Sequence, residues 1–308
     1  MNTLLRSAIG FAIGLTLGGF AFVAASLPAR SLAPLNGALT LPTPRVGVDV
    51  TLSFVETGTA NVPGFLLAQG LGLSPRPVTF RAAIIEHPLG LIVFGAGVSP
   101  SASDEHVPWR VRNPFGAVTD ERELAVEIAE LGAPHQVILP TARWYHVGGA
   151  AAFDRQTVWV GSSEIWAATA GSWPYRFGYI DSQVDALAPQ RRGTSGPRFL
   201  GSRGSHDIFG DGTLVLLSYR GASVEELMLL VSVAGERQVL LVGESAWAHE
   251  QVSARLPRAL AATWFTDRSR ARAAHTLRIL SLAESDYGVR VIPLLDGTLE
   301  LPVFPESW

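Results

Sequence analysis

The chain has 308 residues, a formal net charge of −3, 47% hydrophobic and 17% charged residues. That balance excludes a disordered polymer and allows one large domain or two smaller ones. No basic block is present, which argues against nucleic acid as a partner. All 24 cationic side chains are arginine, so Schiff-base chemistry, pyridoxal phosphate attachment and a lysine-bearing phosphate loop are excluded. Cysteine is absent, which removes disulfides, iron–sulfur clusters, thiolate zinc sites and cysteine nucleophiles.

From Ser7 to Ala29 the chain carries no charge. About 20 apolar residues cross a bilayer core, whereas a secretory h-region has roughly 7–15. Residues 1–30 therefore read as a membrane anchor, one N-terminal transmembrane helix. A signal segment cleaved near Val23-Ala24-Ala25 or Ala29 is the alternative. Gly10, Gly14 and Gly18 fall on one helix face, where small residues let a second membrane helix approach; the other reading is that glycine is simply common in such helices. Arg6 precedes the stretch, so the positive-inside rule puts the main domain on the extracytoplasmic, periplasmic side. Cleavage would leave it secreted. The expected partners are membrane lipid, through the helix, and another membrane protein.

Residues 31–45, rich in proline and leucine, read as a tether, and residues 46–308 as one domain. Val46–Val55 alternates as a half-buried strand does. Arg81–Ile85 and Leu91–Phe94 are strands flanking the turn His87-Pro88-Leu89-Gly90. Glu121–Leu131 has helical spacing, and Gln136–Leu139 is a short buried strand. Thr157–Val160, Leu214–Ser218, Leu227–Val233 and Gln238–Val242 add strands, the last two joined by a hairpin at Ala234-Gly235-Glu236-Arg237. Asp267–Glu284 reads as an amphipathic helix and Val289–Pro293 as a closing strand. Runs of strands interrupted by helices imply an α/β sandwich.

Val137-Ile138-Leu139-Pro140-Thr141-Ala142-Arg143-Trp144-Tyr145-His146-Val147-Gly148-Gly149 resembles the signature of the metallo-β-lactamase fold superfamily, a buried strand running into H-x-H-x-D-H and then V-G-G. Further pieces follow in that order. They are His87 to Gly97, Phe209-Gly210-Asp211-Gly212, Leu240-Leu241-Val242-Gly243-Glu244-Ser245-Ala246-Trp247, similar to the G-D-x-x-W of lactonase-like members, and Val289–Asp296. The resemblance implies a four-layered αββα sandwich with the active site at one edge.

Hydrolysis in that fold uses zinc held by histidines and carboxylates, which activates bound water. Carried over position by position, the ligands fall on Thr141, Arg143, Tyr145, His146, Ala222, Glu244 and Leu295. Only His146 and Glu244 keep a side chain that binds metal, and zinc needs three protein ligands at least. The resemblance thus implies a degenerate member without metal or other cofactor.

A guanidinium among ligand positions must be paired if it is buried. Glu244 is the acid the resemblance puts beside Arg143. The two are expected to replace the metal as an electrostatic bridge between the halves of the sandwich, unless Arg143 points to solvent. The histidines (His87, His106, His135, His146, His206, His249 and His275) make no H-x-H or H-x-x-x-H pair, and no G-x-S-x-G elbow occurs. The aromatic stretch Trp159–Tyr179, with Trp166, Trp173, Tyr175, Phe177 and Arg176, reads either as core and lid packing or as an interface.

The sequence therefore points to a catalytically inactive, membrane-anchored domain used in binding or assembly, as an accessory subunit of a membrane complex. The alternative is a lactone or β-lactam hydrolase with an altered, metal-free site built on His146, Tyr145 and Glu244. A small apolar ligand in the vacated metal pocket is a third reading.

Overall fold

The computed structural model describes residues 28–100, 115, 117–171, 178–180, 183–184, 190–233 and 237–301. The expected transmembrane helix lies outside these residues up to Leu27, as do Gly10, Gly14 and Gly18. Among the described residues no helix is long and apolar enough to cross a membrane.

Two mixed sheets form the centre. The first has six strands in chain order: β1 (Thr51–Pro63), β2 (Pro75–His87), β3 (Gly90–Phe94), β4 (Gln136–Ile138), β5 (Val158–Gly161) and β6 (Gln190–Arg192). β1 to β3 pair antiparallel, and β3 to β6 pair parallel. The second sheet comprises β7 (Ser205–Asp207), β8 (Leu214–Tyr219), β9 (Glu226–Val233), β10 (Arg237–Val242) and β11 (Arg290–Pro293), in the order β11-β10-β9-β8-β7. Its only parallel pair among the described residues is β10 with β11. The helices used below are α1 (Trp144–Val147), α2 (Ser162–Ala170), α3 (Leu260–Thr266) and α4 (Arg270–Tyr287).

Strand side chains alternate between faces, and here both faces are buried, so the strands read as continuous apolar runs. Ala83, Ile85, Ile92 and Phe94 point between the sheets and meet Leu214, Leu216, Leu227 and Leu229. Their neighbours Ala82, Ile84 and Val93 pack on the opposite face with Leu124, Ile128, Ile165 and Ala168. Val215, Leu217, Met228 and Leu230 pack outward against Leu277, Leu280 and Ala283 of α4. Helix, sheet, sheet and helix therefore lie in four layers.

Several sequence boundaries move. The first strand starts at Thr51 rather than Val46, and runs on to Pro63 past a register shift between Glu56 and Gly58. The buried Thr57 Oγ1 donates to Phe80 O and accepts from Val98 N, which fills the gap the shift leaves. Glu121–Leu131 forms one short helix, Leu124–Glu127, and a 3-10 turn, Ala129–Leu131; Gly132, with φ 87°, ends it. α4 begins three residues later than expected. Ser269 accepts from Arg272 N at its start, and Gly288, left-handed at φ 67°, closes it. The segment read as a tether lies along the domain: Leu32 N donates to Arg255 O, Leu39 N to Tyr287 Oη, and Leu32, Leu39 and Leu41 pack on the α4 core. The turn residues 234–236 lie outside the described residues; the strands they join pair antiparallel.

Candidate functional site

The loop after β4 and the loop after β10 meet at one edge of the sandwich. Gly243 allows the approach, because a Cβ there would overlap Pro140 and press on His146 Nε2. Arg143 holds the N-cap position of α1 in an extended conformation without a side-chain cap bond, and its guanidinium reaches Glu244 in the junction. All seven positions carried over from the ligand pattern are at most 1% exposed: Thr141, Arg143, Tyr145, His146, Ala222, Glu244 and Leu295.

The structure brings Arg143 and Glu244 into direct contact, Nη1 to Oε1, at 2.5 Å. The same Nη1 is 3.0 Å from Tyr145 Oη, which donates to Glu244 Oε2 at 2.8 Å. Nη2 donates to two backbone carbonyls, Ala222 O at 3.1 Å and Thr266 O at 2.6 Å. A second guanidinium approaches from the other side. Arg258 Nη2 lies 3.4 Å from Glu244 Oε1 and donates to Glu244 O. Its Nη1 pairs with Asp267 Oδ1 at 2.6 Å, and its plane stacks 4.2 Å from the ring centre of Trp247.

These contacts set the protonation states. Burial alone would push Arg143 down, but Glu244, with Tyr145 and Tyr179, holds it well above its ordinary value, so it stays charged. Burial lifts the Glu244 carboxyl against the opposing pull of Arg143, Arg258 and Tyr145. Burial likewise raises the Tyr145 phenol, with Arg143 opposing. His146 is driven down to about 3, first by burial and then by the Arg143 charge, and is neutral. Among the described residues neither of its ring nitrogens has a hydrogen-bond partner, and Nε2 stands 3.8 Å from Glu244 Oε2.

The remaining ligand-pattern positions serve the packing. Thr141 Oγ1 accepts from Arg143 N at 3.5 Å. Ala222 contributes only its carbonyl, and Leu295 packs with Phe80, Phe115, Trp144 and Trp247.

A second carboxylate lies behind this cluster. Glu164, in α2, accepts from Ala142 N, Tyr179 Oη, Ser223 Oγ and Glu225 N, so its buried charge is fully hydrogen-bonded. Sequence reasoning missed Arg258, Asp267 and Glu164. None lies in a motif; the available signal was that an arginine at a buried ligand position requires more acceptors than one carboxylate provides. Of the aromatic stretch, Trp159 and Tyr179 are buried and Trp166 is 59% exposed. Trp173, Tyr175, Arg176 and Phe177 lie outside the described residues. His87 pairs with Asp211 and His249 with Glu284, and neither pair touches the side chains of this cluster.

The residues at the metal positions do not fit zinc. One neutral imidazole and one carboxylate are the only ligating side chains, and the carboxylate is already bound by two guanidiniums that would repel a cation. No group of three or more histidine, aspartate or glutamate side chains suited to a metal occurs among the described residues.

No family model and no curated protein matches the sequence. Solved structures do match the fold. An N-acyl homoserine lactone hydrolase with N-hexanoyl-L-homoserine bound at its catalytic metal centre superposes with a TM-score of 0.64 at 17% identity, over 84% of this chain and 98% of that one. An AiiA variant from B. thuringiensis with N-decanoyl-L-homoserine at its active site gives 0.65 at 17% identity, with the same coverage. AidC, a dizinc quorum-quenching lactonase, gives 0.56 at 10% identity, over 88% of this chain and 99% of that one. Two face-to-face mixed sheets, helices on both outer faces and this set of neighbours establish that the chain has the metallo-β-lactamase fold.

Proposed function

We propose that this chain is a metal-independent relative of the hydrolases that share its fold. In this reading it binds or assembles rather than hydrolyses, tethered to a membrane by its N-terminal segment and docking onto another membrane protein. The observation that carries the reading is the Arg143 guanidinium, fully buried and 2.5 Å from Glu244 among the positions that match metal ligands. A positive side chain there does for Glu244 what a cation would do, and it leaves no ligand set for water activation. Tyr145, His146 and Glu244 are also closed to solvent, so a substrate would have to displace packed side chains to reach them.

The alternative is a hydrolase that uses His146 as base, with Tyr145 and Glu244, on lactones whose ring-opened products, N-acyl-L-homoserines, are bound by the structural neighbours. Assays of the full chain on acyl homoserine lactones and β-lactams separate the two. The proposal expects no turnover above buffer, together with one specific membrane protein retained through purification from native membranes. Turnover abolished by His146→Ala would establish the hydrolase instead.

A further inference from the structure

Next to the Arg143–Glu244 cluster, on the far side of the Ala222 carbonyl that Arg143 Nη2 reaches, arginines gather where the turn 221–224 meets the start of α4. Two clefts, of about 280 and 330 Å3, are both lined by Arg220 and Arg272. The first also takes in Ser163, Ser269 and the exposed indole of Trp166. The second takes in Arg203 and His275.

These charges exceed the acidic charge beside them. Among the described residues, Arg203, Arg220 and Arg272 make no ion pair. Glu225, whose charge acts on Arg220, is committed elsewhere: it accepts from Ser163 N at 2.9 Å, Ser162 Oγ at 3.3 Å and Ser218 Oγ at 3.4 Å. Arg220 Nε is buried without a hydrogen-bond partner among the described residues, and its Nη2 has a long, 3.5 Å contact to Ser163 Oγ. Burial, and then repulsion from Arg203 and Arg272, pushes Arg220 below its ordinary value. The start of α4, capped by Ser269, lends its positive end to the same cleft.

Like charges held together with too little counter-charge are relieved by an anion. Guanidinium forks match tetrahedral oxyanions in geometry as well as in charge. We propose that this face binds a phosphate group, free or as the head of a phosphomonoester lipid, through Arg220 and Arg272, with Arg203 alongside. The exposed Trp166 indole at the rim suits an organic tail on that group. The site uses none of the side chains of the Arg143–Glu244 cluster and does not require the metal-independent reading.

Titration calorimetry of inorganic phosphate into the full chain in detergent, at constant ionic strength, tests it. Saturable binding is expected, weakened roughly tenfold or more by Arg220→Gln or Arg272→Gln, the loss of about one charge-assisted hydrogen bond. Arg122→Gln, on another surface, is expected to leave it unchanged. Arg272 is exposed, so its substitution leaves the fold intact, which thermal unfolding checks. Dioctanoyl phosphatidate identifies the source: competition at lower concentration than phosphate assigns a lipid head group, and weaker competition assigns a soluble phosphate. No saturable binding of either probe, or binding indifferent to both substitutions, would overturn the proposal.

Discussion

Arg143 and Glu244 lie 101 residues apart in the chain and 2.5 Å apart in the fold, and both are wholly buried. The pair joins the loop after β4 to the loop after β10, and so ties the first sheet to the second. Its wider network satisfies the charges. Arg143 reaches Tyr145 and two carbonyls, while Glu244 also takes Arg258.

Removing Arg143 leaves the buried Glu244 carboxylate with Arg258 alone, a guanidinium already paired with Asp267. Arg143→Met is expected to destabilise the fold by about 3–5 kcal/mol, measured by chemical denaturation. Adding Glu244→Gln to that variant removes the stranded carboxylate, so the double variant loses less than the sum of the two single losses. Strict additivity would show that the two side chains do not depend on one another.

His146 gives a pH signature. Its folded value of about 3 lies below the ordinary 6.5, so the unfolded chain takes up a proton first as pH falls. Its contribution is complete above 6.5 and is lost between 6.5 and about 3, by at most ~1.4 kcal/mol per pH unit. Glu226, pushed up to about 7 mainly by burial, works in the opposite sense: its folded form holds the proton, and stability declines as pH rises towards 7. The difference between wild type and His146→Leu at each pH isolates the histidine. Wild type is expected to lose stability relative to the variant as pH falls from 6.5, and parallel curves would contradict this.

Gly97 sits in the left-handed region at φ 56°, and a Cβ there would overlap Thr57 Oγ1. That hydroxyl bridges Phe80 O and Val98 N across the irregularity in β1. Gly97→Ala is therefore expected to cost about 2 kcal/mol or more, through backbone strain and loss of the bridge. A melting temperature within 1 °C of wild type would exclude so tight an approach (about 2 °C per kcal/mol in a domain of this size).

The strands were legible where both faces are buried: the apolar runs at Leu91–Phe94, Leu214–Ser218 and Leu227–Val233 lie within β3, β8 and β9. β6 and β7, three residues each and polar in sequence, gave no periodic signal, because backbone pairing at the sheet edges defines them. In the site, the motif order alone grouped Arg143, Tyr145, His146 and Glu244. Arg258 and Asp267 stayed hidden because their roles depend on the path of the chain into and out of α3, which no local pattern encodes. The clustering of Arg203, Arg220 and Arg272 was hidden for the same reason, since it brings together residues from three separate segments.

The central claim is that Arg143 occupies the place of a cation. It is tested most directly by the zinc content of the purified full chain after equilibration with excess zinc and desalting. The account predicts near-zero zinc, and the same result for Arg143→Met, since one imidazole and one carboxylate fall short of a ligand set. One or more zinc ions retained per chain of the wild-type protein would contradict it.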